Sequence, residues 1–250
     1  MEINVPSENI VELIDGGDKN PYHLLFYMIS NFRMINYKEP VLYYYDKTNR
    51  KIVEELLTML PKNFIRDTEK RPEFTYRPFL HTTPFQIQRP FFPDWTLPYD
   101  YDFIREIFEP HYIKTIKKGL RIYISRNKDA TYRRIVNEDE LLNVLNPLGF
   151  ISVTMSELSV LTQMNIFSQS DVIISPHGAG MAFMVFGSSD TTIIELNSKH
   201  STSRHYSHIA WHLEMDYYKM ICKMDDTGKD LIVDVERLSK FLNAHPKFYN

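Results

Sequence analysis

Asp171-Val-Ile-Ile-Ser-Pro-His-Gly-Ala-Gly180 is the stretch on which the fold turns. Val172-Ile-Ile174 is a short run of β-branched residues, the pattern of a strand buried on both faces. Pro176 stiffens the exit from that strand. Gly178 and Gly180 have no Cβ, so the backbone there can approach a ligand or a neighbouring element closely. The apolar run Met181-Ala-Phe-Met-Val-Phe186 then reads as a helix opening at Gly178. A strand that enters a helix through a glycine turn is one step of a parallel sheet. The N–H groups and positive dipole end of such a helix suit a phosphate. A tight strand-to-helix turn with no ligand would use the same residues, so the stretch leaves both readings open.

The same alternation extends in both directions. After it come a strand over 191–196, a helix over 203–213, a strand over 217–223 and a helix over 235–243. Before it lie strands over 120–124 and 150–153 and helices over 138–145 and 159–168. Asn137 stands as N-cap with Glu140 in the capping-box position. Towards the N-terminus the periodicity predicts strands over 9–14, 41–45 and 64–65. Helices are expected over 22–35, 51–60 and 101–108. The segment 71–98 holds Pro72, Pro78, Pro84, Pro90, Pro93 and Pro98, which rules out a long helix and predicts a folded connector. Strands alternating with helices of this length predict an α/β chain with mostly parallel sheets. Two such blocks joined near residue 105 predict two lobes, 1–105 and 106–250, with a cleft between them.

The totals narrow the function classes. The chain has 250 residues and a net charge of -3, without the basic excess of a nucleic-acid-binding domain. There is one cysteine, Cys222, so no intrachain disulfide forms, and no Asn-x-Ser/Thr sequon occurs. No apolar run approaches the roughly 18 residues that suggest a membrane span. Met1-Glu-Ile-Asn-Val-Pro-Ser7 has neither a basic region nor an apolar core of the signal-peptide kind. The resulting expectation is a cytoplasmic protein, in the host cytoplasm if the source is a virus, with no membrane span and no nucleic-acid partner.

Local charge is less even than the total. Between Lys114 and Arg134 lie Lys114, Lys117, Lys118, Arg121, Arg126, Lys128, Arg133 and Arg134, opposed by Asp129 alone. The three lysines read as solvated surface. Arg126 follows the expected strand 120–124, where a ligand of a parallel sheet lies. Its planar fork of donors, and that of Arg133, suit diphosphate oxygens. Glu195 stands at the end of the strand Thr192-Ile-Ile194, where a carboxylate could hold ribose hydroxyls or could simply be an exposed strand-end charge. His23, in Asn20-Pro-Tyr-His23, could accept a proton from a hydroxyl, or could pack within its helix. Asp100-Tyr-Asp102 has a metal-binding form, yet it begins a helix, and the capping role is preferred. The dinucleotide and P-loop fingerprints are absent. So are Cys/His metal spacings and the Gly-x-Ser-x-Gly that would accompany an esterase-like reading of His177-Gly-Ala-Gly180.

Four blocks together resemble the glycosyltransferase 61 family, which includes O-linked N-acetylglucosaminyltransferases of the secretory pathway and plant xylosyltransferases. They are Tyr123-Ile-Ser-Arg126, Arg133-Arg-Ile-Val-Asn-Glu-Asp-Glu-Leu141, Asp171 to Met181, and Ile193-Ile-Glu-Leu196. Gln163 and Phe167 also fit the family's helix, and Asn20-Pro-Tyr-His23 looks like its Asn-Tyr-Tyr-His signature. The resemblance implies a GT-B fold of two Rossmann-like lobes and an inverting transfer from a UDP-sugar, GlcNAc or xylose, to a hydroxyl of a carbohydrate or glycoprotein acceptor. It implies no strict metal or other cofactor requirement. Arg126 and Arg133 would bind the donor phosphates. His177, Gly178, Ala179 and Gly180 would form the phosphate-facing turn, and Glu195 would face the nucleoside. Family members usually carry an acid four positions after the histidine, where this chain has Tyr27. The base is then His23, Asp15 or Asp18. The alternative is a catalytically impaired pseudoenzyme that binds a nucleotide sugar or carbohydrate.

Overall fold

Short β-branched and aromatic runs assemble into two sheets, one wholly and one mostly parallel. In the computed structural model, residues 4–13, 20–79, 96–113 and 119–245 are described. The chain divides into two compact units, Met1–Tyr112 and Ile113–Asn250. The boundary expected at 105/106 falls inside a continuous helix, so the division lies a few residues later.

In the first unit, β1 (Ile10–Leu13), β2 (Val41–Tyr44), β3 (Phe64–Asp67) and β4 (Arg77–Phe79) form one sheet in the order β3-β2-β1-β4. Every pairing in it is parallel. The connection after β1 resumes at α1 (Pro21–His23), whose first turn is capped by Asn20 Oδ1 accepting from the His23 N–H at 3.0 Å. The expected helix over 22–35 is not a single α-helix. It runs from α1 into a π-helical turn over Leu24–Met28 and a 3-10 segment over Ile29–Met34. Two side chains compete for its carbonyls, as serine and asparagine do inside helices. The Ser30 hydroxyl donates to Phe26 O at 2.7 Å and the Asn31 amide donates to Tyr27 O at 3.0 Å. Helices α2 (Lys51–Thr58) and α3 (Pro98–Phe108) complete the unit. Asp100 accepts from the Leu97 N–H at 2.7 Å and from Arg33 Nε at 2.5 Å, so its carboxylate does the work of a cap.

In the second unit, β5 (Leu120–Ser125), β6 (Phe150–Thr154), β7 (Ser170–Pro176), β8 (Thr192–Ser198), β9 (Asp216–Met224) and β10 (Leu231–Ile232) form a sheet ordered β10-β9-β8-β7-β5-β6. All its ladders are parallel except the closing β9–β10 hairpin. Helices α4 (Glu138–Leu145), α5 (Val160–Gln169), α6 (His205–His212) and α7 (Val235–Ala244) cover the sheet. One core gathers Tyr123, Val172, Ile174, Ile194 and Leu196 beneath Leu141 and Leu145 of α4 and Leu238 and Leu242 of α7. Ile122, Ile173 and Ile193, at alternate positions of the same strands, are buried as well. Burial on both faces explains why these strands read as unbroken apolar runs.

Two expectations need correction here. The segment after Gly178 is a 3-10 helix, Ala179–Phe186, rather than an α-helix. All six residues from Met181 to Phe186 are buried, so this element belongs to the core throughout its length. Asn137 makes no side-chain cap on α4. Its amide is taken by a reciprocal pair with Val233, Nδ2 donating to Val233 O and the Val233 N–H donating to Oδ1, each 2.9 Å. Nδ2 also donates to Glu140 Oε2 at 3.2 Å, so Asn137 and Glu140 stay paired through their side chains, while Oδ1, the atom that would cap, is taken by Val233.

Candidate functional site

In the second sheet the chain steps from β5 to β6 on one side and returns to place β7 on the other. The two connections diverge at the carboxyl ends of β5 and β7, the place where open parallel sheets bind ligands. Arg126 follows the first of these strands, and His177-Gly178-Ala179-Gly180 follows the second. A cavity of about 40 Å³ lies between them, lined by Ser125, Arg126, Asp129, Pro176, Gly178 and Gly180 among others. A wider recess of about 330 Å³ shares Ser125 and extends over the end of β6 beside Asn127, Lys128, Glu138 and Thr154.

Gly178 lacks a side chain for a reason the sequence does not display. Its backbone is extended, φ -179° and ψ 162°, which any residue adopts. A Cβ there would stand 1.8 Å from Arg126 Nη1 and 2.7 Å from its Cζ. The missing side chain is therefore the space that the Arg126 guanidinium occupies. Gly180 is also tight, its virtual Cβ falling 3.1 Å from Met155 Cγ.

Arg126 Nε and Arg133 Nε are both buried without a hydrogen-bond partner among the described residues. Burial pushes the Arg126 pKa down, and the charge of Arg133 pushes it further the same way, with Asp129 opposing. Two guanidinium groups, each with a buried and unpartnered Nε, can serve an anion with several oxygens. Arg133 holds the left-handed conformation at φ 58°, and its guanidinium lies 4.6 Å from the Tyr132 ring centroid.

His177 is buried, and its Nδ1 contacts Glu195 Oε1. Burial lowers the His177 pKa, the Glu195 contact opposes that shift, and the charges of Arg133 and His205 add to it. Glu195 is 1% exposed. Its other contacts are the Tyr217 hydroxyl, which donates to Oε2, and Asn197 Nδ2, which donates at 3.1 Å. Burial and Glu195 together raise the Tyr217 pKa. Glu195 is thus not the exposed strand-end charge that one reading of the sequence allows. It stands behind His177, because β8 places it on the buried face of an interior strand. Ala179 begins the 3-10 helix. Tyr206 of α6 donates its hydroxyl to Gly178 O and sets its ring 4.9 Å from that of His177.

Tyr206, Tyr217 and Asn197 are parts of this arrangement that the sequence reading missed. No motif carries them, since they reach the turn only through the adjacency of β7, β8 and β9 and the packing of α6. Glu138 was likewise read only as the start of a helix. Its Oε1 accepts from Tyr123 OH at 2.7 Å and Ser125 Oγ at 2.8 Å, which ties α4 to the end of β5.

In the first unit, His23 ends α1 with its ring stacked on Tyr27, centroids 5.0 Å apart at 27°. Tyr22 packs edge-on against Tyr27 at 5.6 Å. Asp15 and Asp18 lie outside the described residues, as do Lys114, Lys117 and Lys118. Among the described residues no group of three or more His, Cys, Asp or Glu side chains gathers as metal ligands. No helix of the described residues is long and apolar enough to cross a membrane.

Parallel-dominated sheets, with two arginines and a glycine turn following strands at a crossover, define an α/β protein of the kind whose ligands lie beyond the carboxyl ends of its strands. Residues 22–194 match the model of the family described as Glycosyltransferase 61, and the chain belongs to that family. It is similar to the EGF domain-specific O-linked N-acetylglucosamine transferase of Mus musculus, 32% identical over 74 residues, which is 28% of this chain and 14% of that protein. The protein of the same name from Bos taurus is 32% identical over 85 residues, covering 32% of this chain and 16% of its own length. The Canis lupus familiaris protein is 31% identical over 74 residues, with 28% and 14% covered. The matched stretches therefore span only about a seventh of these relatives.

Proposed function

We propose that this chain is an inverting glycosyltransferase of GT-B type that moves a sugar from a UDP-sugar to a hydroxyl of a glycan or glycoprotein. In this reading the unit Ile113–Asn250 holds the donor and the unit Met1–Tyr112 serves the acceptor. The observation that carries it is the pair Arg126 and Arg133 in the stretch after β5, each with a buried and unpartnered Nε, with Gly178 leaving room for the Arg126 guanidinium. Such cations stabilise negative charge as it develops on a leaving diphosphate. His177, kept oriented by Glu195, would face the same phosphates. The 330 Å³ recess beside Ser125 and Glu138 has the capacity for the nucleoside.

The reaction is a single displacement. The acceptor oxygen bonds to the anomeric carbon from the face opposite the phosphate. The bond from that carbon to the phosphate oxygen breaks, UDP departs with its electron pair, and a base takes the hydroxyl proton. His23, Asp15 and Asp18 are the bases to test. UDP-GlcNAc and UDP-xylose are the first donors to try, the former because the named relatives transfer N-acetylglucosamine. No metal or cofactor is invoked in the step.

Calorimetric titration with UDP tests the donor site. We expect binding by the wild type and a loss of about 10- to 150-fold in Arg126→Ala, the range for one charge-assisted hydrogen bond. A wild type that ignores UDP and other nucleotides would end the proposal. Tyr27 stacked on His23, at the position where the resemblance implies an acid, favours a second reading, a donor-binding protein without turnover. Transfer or hydrolysis of a UDP-sugar by the purified chain would exclude that reading.

A further inference from the structure

The arginine pair is held from outside the segment that the family model matches, which ends at residue 194. The β9–β10 hairpin turns at Asp225-Asp-Thr-Gly228, where Gly228 has φ 68°. Asp225 Oδ1 accepts from the N–H groups of Lys229 and Asp230, each at 2.9 Å. The hairpin so formed grips the loop that carries the arginines. The Arg133 N–H donates to Lys229 O at 2.7 Å and the Leu231 N–H to Arg134 O at 2.8 Å. Asp230 takes three donors from the next residue: the Arg134 N–H and Nε at 3.0 Å each, and Nη2 at 2.6 Å.

Arg133 lies between these anchors in a left-handed conformation that costs an L-residue energy and persists only where its surroundings impose it. With φ positive, its Cα–Cβ bond leaves the loop in a direction that an ordinary negative φ would not produce. We infer that Asp230 is a positioning residue for donor binding: by clamping Arg134 it holds Arg133 left-handed and so fixes the direction in which the Arg133 guanidinium leaves the loop. This inference rests on the proposed role of Arg133 at the donor phosphates. It assigns that role a support encoded about a hundred residues later in the chain.

The test is calorimetric titration of UDP and of uridine into wild type, Arg133→Ala, Asp230→Ala, Asp230→Asn and the double variant Asp230→Ala/Arg133→Ala. All are held at a temperature where circular dichroism shows each to be folded. Asp230→Ala is expected to weaken UDP binding about tenfold, as a misplaced charge-assisted bond would. Uridine binding should be unchanged, and Asp230→Ala should add nothing in the Arg133→Ala background. Asp230→Asn, which keeps an oxygen for the Arg134 N–H but loses the charge, should fall between wild type and Asp230→Ala. It also serves as the test should Asp230→Ala not fold. UDP affinity untouched by the Asp230 variants while Arg133→Ala loses it would overturn the inference. So would an equal loss for uridine, or a simple sum of effects in the double variant. If Arg133→Ala itself binds UDP like the wild type, the donor-site role of Arg133 has failed, a result distinct from all of these.

Discussion

Gly178→Ala separates the role of the glycine turn from its shape. The backbone at Gly178 is extended, so alanine adds no backbone strain and removes some freedom from the unfolded chain. What it adds is one methyl, 1.8 Å from Arg126 Nη1. Non-bonded atoms settle near 3.5 Å, so the guanidinium must retreat by roughly 1.7 Å. It is the far end of a flexible side chain and can do so. Stability should therefore change by no more than about 1 kcal/mol. Binding should not be spared, because a displacement of that size takes the donors off the phosphate oxygens. The loss is that of one charge-assisted hydrogen bond, about 1.5–3 kcal/mol, or about 10- to 150-fold in Kd for UDP. Calorimetry gives Kd and thermal melting gives stability. In an Arg126→Ala background the glycine substitution should then be silent. UDP binding within twofold of wild type in the single variant would refute the reasoning. A further large loss in the Arg126→Ala background would too, since the effect would not then run through Arg126.

Other outcomes follow from the same contacts. Burial depresses the His177 pKa, whereas in the unfolded chain it lies near 6.5. Below about pH 6.5 the unfolded state takes up a proton that the folded state resists, so stability falls as pH falls and is restored above that value. His177→Gln should flatten the slope of melting temperature against pH below about 6.5, and an unchanged slope would remove His177 as its source. Cys222 is 5% exposed and burial raises its pKa to about 11. It should therefore resist a thiol reagent in the native state and react once the protein is unfolded, as thiol counting before and after denaturant would reveal. Asp100→Ala removes the acceptor for the Leu97 N–H and the partner of Arg33, and should cost about 1–2 kcal/mol in denaturant unfolding, the size of a lost cap. Transfer activity that persists in excess chelator would separate that structural role from metal binding at Asp100.

Much of the second unit was legible because its signals are local. Val172-Ile-Ile174 and Ile193-Ile194 announce interior strands by composition, and glycine after a strand announces a close approach. The position of Arg126 at a strand end was enough to single it out. The first unit was less legible. Phe26 to Met34 has helical periodicity, but Ser30 and Asn31 take carbonyls from the ladder, and the helix changes type along its length. The hairpin at Asp225–Gly228 was missed although it carries a turn signature, because β10 has only two residues and little periodicity to detect.

The amino-acid sequence by itself determined the parallel α/β alternation, the glycine turn at Gly178 and the arginines available to it, since each depends on residues within a few positions of one another. Tertiary structure alone decided what the turn and its neighbours touch. Strand order brought Glu195 and Tyr217 behind His177 and set Tyr206 against Gly178. Packing placed the Arg126 guanidinium where a Cβ would have been, and Asp230 beside Arg134. Those contacts join residues that the chain keeps apart, so which of them form depends on how the sheet is ordered and which face each side chain takes.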